Sequence, residues 1–216
     1  MSKSTVMRWL AVWLLALFCL SWASLSKYAS AIAKTGEGLA TDPRLDMVTA
    51  LKAIGPHPSL GDQAKVFGRF VGTWDVEYTD FSRDGKVKDH RSGEFIVGWV
   101  MDGRAVQDFW IVYPSGTRKD REVYTDLRYY DPKSGTWLAT FIDPEHASAA
   151  RFTGGAVGDD RIVLETGDFD GTDTRWSIND IRTDSFIWRE EQSLDGGKTW
   201  RSLAEHHMKR RGAQPR

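Results

Sequence analysis

The chain has 216 residues but only one cysteine, 7 prolines and no surplus of either charge. One cysteine excludes an intramolecular disulfide framework and any thiolate zinc site. Lys and Arg number 29 against 30 Asp and Glu, for a formal net charge of −1, so no basic footprint points to nucleic acid. With 41% hydrophobic and 27% charged residues, long disorder is also excluded. No nucleophile elbow, phosphate loop or dinucleotide fingerprint is present. His57, His90 and His146 are isolated, and on a strand the adjacent His206 and His207 would face opposite ways. No metal and no cofactor is therefore expected. Internal repeats and low-complexity stretches are absent as well.

What the chain has in excess is tryptophan, 10 in all. Trp9, Trp13 and Trp22 belong to an N-terminal segment of different character. Met1 to Arg8 carries Lys3 and Arg8, Trp9 to Ala23 is apolar apart from Ser21, and no charge follows until Lys27. Ala29-Ser30-Ala31 and Ala31-Ile32-Ala33 then offer small-residue cleavage sites. This order is that of a secretory signal over residues 1–33. The alternative is an uncleaved membrane anchor, because the charge-free run is near the lower limit of the ~17–25 residues that span a bilayer. The A-x-A pattern favours cleavage, which removes the only cysteine, Cys19, and places the mature protein in the periplasm or outside the cell. A membrane enters only through an uncleaved segment.

Residues 34–58 are expected to form a spacer and a short helix. Asp42-Pro43 starts the helix, Leu45, Val48, Leu51 and Ile54 recur at helical spacing, and Gly55-Pro56 stops it. A second helix is expected from Ser59, where Ser59-Leu60-Gly61-Asp62 has capping-box spacing and Leu60, Ala64 and Phe67 share a face.

From Gly72 the period changes from helical to alternating. About ten strand candidates follow, separated by turn chemistry such as Ser82-Arg83-Asp84-Gly85, Asp131-Pro132-Lys133-Ser134-Gly135 and Asp195-Gly196-Gly197. With no helix between them they form an antiparallel meander, not a parallel α/β sheet. A meander of this length hides its edges by closing. The expected fold class is therefore all-β, an antiparallel up-and-down barrel of about eight to ten strands over residues 59–211, with a two-sheet sandwich as the alternative. Residues 212–216 form a tail.

Trp74, Trp99, Trp110, Trp137, Trp176, Trp188 and Trp200 fall on different strands. If they point inward, residues two away share their face. Asp108 accompanies Trp110, Asp143 accompanies Trp137, Asp180 accompanies Trp176, Glu190 accompanies Trp188 and His206 accompanies Trp200. A solid core does not accept several unpaired carboxylates. Either the tryptophan face lines a wet lumen, or a bulge shifts the register and turns the acids outward.

Phe67-Gly68-Arg69-Phe70-Val71-Gly72-Thr73-Trp74 resembles the opening of calycin-type barrels, in which a short helix leads into a G-x-W on the first strand. With Tyr129-Tyr130-Asp131, Trp188 to Ser193 and Lys209-Arg210-Arg211, the order is similar to a largely uncharacterised group of bacterial lipocalin-like barrel proteins. The resemblance implies an up-and-down barrel with one open end and transfers no catalytic residue. Haem-binding barrels of the nitrobindin type share Gly72 and Trp74, but Val76 and Tyr78 stand where that family has further glycines. That departure argues against haem despite His206 and His207. Ser193-Leu194-Asp195-Gly196-Gly197-Lys198-Thr199-Trp200 resembles the Asp-box of sialidase-like propellers. It occurs once, which implies a rigid hairpin and not a propeller enzyme.

The expected function is extracytoplasmic binding of a small lipophilic or aromatic molecule. Trp110, Trp137, Trp188 and Tyr129 are the expected lining, with Asp108, Glu190 and His206 as polar anchors. The alternatives are an isomerase, hydratase or hydrolase on the same fold, and a filled structural barrel. An enzyme needs an acid–base pair converging in the cavity. Asp143-Pro144-Glu145-His146 is a candidate, although such a cluster is more often an exposed turn.

Overall fold

The structure, a computed structural model, describes residues 43–116, 118–169 and 172–212. The expected signal or anchor (residues 1–33), the spacer up to residue 42 and the tail beyond residue 212 lie outside the described residues. The chain divides into two units, Met1–Ala50 and Leu51–Arg216. Helix α1, Pro43–Leu51, starts where Asp42-Pro43 places it. It does not run on to Ile54. Leu51 is 39% exposed and Ile54 101%, so neither joins a packed apolar face, contrary to the helical spacing.

The second helical segment also differs from expectation. It opens as a 3-10 turn, Pro58–Gln63, capped not by Ser59 but by His57, whose Nδ1 accepts the Ser59 amide at 3.2 Å. Gly61, at φ 52°, breaks the regular path. Helix α2, Ala64–Gly68, follows, and Leu60 and Phe67 are buried as the shared face requires.

The rest is all β. The strands are β1 (Gly72–Phe81), β2 (Val87–Val100), β3 (Ala105–Val112), β4 (Glu122–Asp131) and β5 (Thr136–Asp143). They continue with β6 (Ser148–Ala156), β7 (Ile162–Phe169), β8 (Thr172–Asn179), β9 (Ser185–Ser193) and β10 (Arg201–Arg210). Every strand pairs antiparallel with its neighbours in sequence, and β1 closes on β10, with Val76 opposite Met208 and Tyr78 opposite His206. The result is a closed up-and-down barrel of ten strands with no free edge. Among the described residues, no helix is long and apolar enough to cross a membrane.

The tryptophan face is the inner face. Trp74, Trp99, Trp110, Trp137, Trp176 and Trp188 are all buried. Trp200 is not part of this belt: it precedes β10, its indole nitrogen donates to the Gly197 carbonyl at 3.1 Å, and the Arg175 guanidinium covers its ring at 4.1 Å. The hairpin that holds it has the expected Asp-box bonds. Asp195 Oδ1 accepts the amides of Lys198 and Thr199 at 3.0 and 2.8 Å, and Ser193 Oγ accepts the Gly197 amide at 2.8 Å. Asp180 also leaves the inner face, because β8 ends at Asn179 and Asp180 turns away at φ 51°.

Up-and-down connection makes each strand run between the same two rims, so the inner face falls into layers. At one rim Trp137 packs against Phe67 of α2, and Trp74 and Phe186 against Phe70, which follows it. Phe67 packs edge-on against Trp137 at 4.9 Å, and Phe70 lies 4.7 Å from Phe186. The indole nitrogen of Trp74 donates to the Phe70 carbonyl at 2.7 Å, and that of Trp137 to Gln63 Oε1 at 3.3 Å. Gly68 permits this closure, since a β-carbon there would lie 2.6 Å from the Trp99 ring. This rim is plugged: the void beneath the plug amounts to about 10 Å³.

Candidate functional site

The opposite rim is open. A cavity of about 670 Å³ descends from it between the strands, within the roughly 300–1,000 Å³ typical of small-molecule sites. Its walls are aromatic. Trp188 lies at the centre of a cluster, 5.4 Å from Trp110, 5.6 Å from Trp176 and stacked on the His206 imidazole at 4.7 Å. Tyr78 meets the same imidazole edge-on at 4.7 Å. Tyr78 has room because Gly93 faces it from β2; a β-carbon there would come within 2.9 Å of the Tyr78 ring and 1.9 Å of the Ile111 carbonyl oxygen.

The cavity floor is charged. Asp108 and Asp126 face each other across β3 and β4, and two carboxylates directly opposite on a buried face require a cation between them. Arg128 supplies it, bonded to Asp108 and, at 3.0 Å, to Asp126. Asp126 Oδ2 also accepts the Trp110 indole N–H at 3.3 Å, whereas its Oδ1 has no hydrogen-bond partner. Burial pushes the Asp126 carboxyl well above the ordinary carboxylate range. The guanidinium beside it offsets part of the cost of holding two carboxyls in a dry interior.

The upper wall carries a second network. Arg91, only 7% exposed in its side chain, bonds Glu122 at 2.9 Å, Asp89 at 3.0 Å and Asp80 at 3.2 Å. Arg118 reaches Glu122 at 2.6 Å, and the Tyr124 hydroxyl donates to the same carboxylate. Burial alone would raise Glu122, but the bonds from Tyr124, Arg118 and Arg91 outweigh it and hold the carboxyl at about 2. Burial raises the phenols of Tyr78 and Tyr124, so both remain protonated donors. At the mouth, His146 Nδ1 and Asp143 Oδ2 are 2.8 Å apart. The His146 side chain is 57% exposed and that of Asp143 10%, so the pair sits on the rim and not in the depth of the cavity.

Of the residues expected from sequence, Trp110, Trp188, Glu190 and His206 line this cavity together. Burial of His206 pushes its imidazole down to about 3, so it is neutral at physiological pH; its Nδ1 has no hydrogen-bond partner. Asp108 lies lower, fully buried beside the small void and committed to Arg128. Trp137 belongs to the plug and does not reach the cavity. Tyr129 is a correction: it is 38% exposed on the outer face, because the inner residues of β4 are Glu122, Tyr124, Asp126, Arg128 and Tyr130. Sequence reasoning missed Asp126, Arg128, Arg91 and Tyr124. On β4 hydropathy pointed to the wrong face, since the outward positions include Leu127 and Tyr129 while the inward ones are mostly polar. Among the described residues, no group of three or more His, Cys, Asp or Glu is placed to hold a metal ion.

No family model matches the chain, and no curated protein matches it. Among solved structures, it is similar to the S-type phycobiliprotein lyase CPES from Guillardia theta, with a TM-score of 0.50 and 13% identity. The match covers 68% of this chain and 92% of that one. At this identity the likeness concerns the fold alone: a closed, lipocalin-like antiparallel barrel.

Proposed function

We propose that this barrel binds a small aromatic or otherwise apolar molecule in the cavity at its open end. The observation that carries the reading is the contrast in filling: about 670 Å³ of space walled by Trp110, Trp176, Trp188 and Phe141, above an interior that is packed solid. A barrel needed only as a scaffold gains stability by filling such a space, since each missing methylene forfeits contacts. Aromatic walls give a planar ligand large contact area, and the polar upper wall holds its orientation. That a phycobiliprotein lyase has the same barrel is compatible with a role in handling small molecules.

The N-terminal segment supports an extracytoplasmic location, either free after cleavage near Ala33 or anchored by an uncleaved segment. Trp110, Trp176 and Trp188 are the reporters for the test. Titration of the full chain with a panel of lipophilic aromatic compounds is expected to change tryptophan fluorescence saturably with at least one of them. Absence of any saturable change across the panel contradicts the reading.

A further inference from the structure

The cavity's charges restrict what it accepts. Two guanidiniums line it, Arg91 and Arg118, and each is already engaged by carboxylates of its own wall. Arg91 alone is bonded to Asp80, Asp89 and Glu122. The floor cation, Arg128, is likewise shared by two acids. Every one of these guanidiniums is ion-paired with carboxylates, and carboxylates outnumber guanidiniums around the space. Two acids, moreover, line the lumen from opposite strands. Asp126 is on β4 and Glu190 on β9, strands that stand opposite each other in the ten-strand ring, and both line the cavity. Asp126 is 1% exposed and keeps one carboxylate oxygen, Oδ1, without a hydrogen-bond partner. Such an orphan is costly unless something bonds to it. Tyr78, Trp110 and Trp188 line the same space, and their π systems attract a cation.

We propose that the ligand is an aromatic cation, or an aromatic molecule with an N–H-rich basic group, whose positive end sits between Asp126 and Glu190. This rests on the cavity being a binding site and specifies the ligand's charge. Aromatic anions are excluded, because any acid entering the space meets a carboxylate surplus and no uncommitted guanidinium.

The test uses the full chain and three probes of nearly equal shape: 1-methylquinolinium, 1-methylnaphthalene and 1-naphthoate, titrated calorimetrically at low salt. The expected order is the cation first, at least about tenfold tighter than the neutral isostere, and the anion weakest. Glu190→Gln and Asp126→Asn, each checked for native circular dichroism, are expected to erase the preference, bringing the affinity for 1-methylquinolinium down to that for 1-methylnaphthalene. Equal binding of cation and neutral probe, or tighter binding of naphthoate, overturns the charge assignment and leaves the cavity as a binding site. Failure of all three probes overturns the cavity reading and this inference with it. A cation preference that survives both substitutions overturns the placement between these two acids. Should Asp126→Asn fail to fold, Glu190→Gln and the three-probe order still decide.

Discussion

The two halves of the barrel interior are built from the same residue types to opposite effect. At the plugged end, aromatic rings interlock with α2, and their polar atoms are paired with neighbouring carbonyls: Trp74 with Phe70, Trp137 with Gln63. At the open end, aromatic rings of the same size stand around a space, and polar atoms on its lining residues, Asp126 Oδ1, His206 Nδ1 and Trp176 Nε1, have no hydrogen-bond partner. Large side chains therefore do not by themselves make a core. A core forms where a second element supplies the complementary surface, and here a single short helix does so at one rim.

The comparison is sharpest at the boundary. Arg128→Met removes the cation between Asp108 and Asp126 and should cost about 3–5 kcal/mol at pH 7, measured by urea unfolding. The carboxylates left behind titrate above their unfolded values, so the folded variant binds more protons, and part of the loss should return as pH falls toward 4. A loss under about 1 kcal/mol, within the range of an exposed pair, would mean the floor is wet.

Next in size is the contrast between rims. Trp74→Ala opens a hole under the plug and should cost about 3–5 kcal/mol. Trp188→Ala enlarges a space that already exists, so its stability cost should be clearly smaller while ligand binding is lost. Equal destabilisation by the two would erase the distinction between packed and open halves.

At neutral pH a smaller effect should come from His206, whose contribution appears only on acidification. Its folded pKa is depressed to about 3, so between its unfolded value near 6.5 and that point the unfolded chain binds the extra proton. Stability should fall as pH drops through that window, by up to about 1.4 kcal/mol per unit, and His206→Gln should flatten the slope. An unchanged slope would show that the imidazole is hydrated. The smallest effect belongs to the outer hairpin: Asp195→Ala should lower the melting temperature slightly and leave ligand binding unaltered, because its bonds lie wholly outside the lumen.

Much of the architecture was legible in the sequence. The change from helical to alternating period at Gly72, the turn residues and the Gly72-x-Trp74 opening lead to a closed meander, and the Ser193 to Trp200 hairpin forms as its residues imply. Glu190 could be placed inside because it shares a strand face with Trp188, whereas His206 is inside although Trp200, its partner in the alternation, is not: the register shifts between Ser202 and Ala204. The β4 strand shows where alternation fails. Both its faces carry tyrosines, and the buried face is made acceptable by a salt bridge between Asp108 and Arg128, residues on different strands. Hydropathy along one strand contains no information about a partner on the next. The plug is similarly non-local: nothing in the stretch around Trp137 announces Phe67 or Gln63 as its neighbours.

The most direct test of the central claim compares tryptophans of the two rims. Binding of 1-methylnaphthalene or 1-methylquinolinium to the wild-type chain should be measured calorimetrically beside Trp110→Leu, Trp188→Leu and Trp137→Leu, with folding confirmed for each. An open-end site predicts loss of at least about tenfold in affinity for the first two and little change for Trp137→Leu. Equal losses in all three, or no binding by the wild-type chain to either probe, would contradict a ligand site in the open half of the barrel.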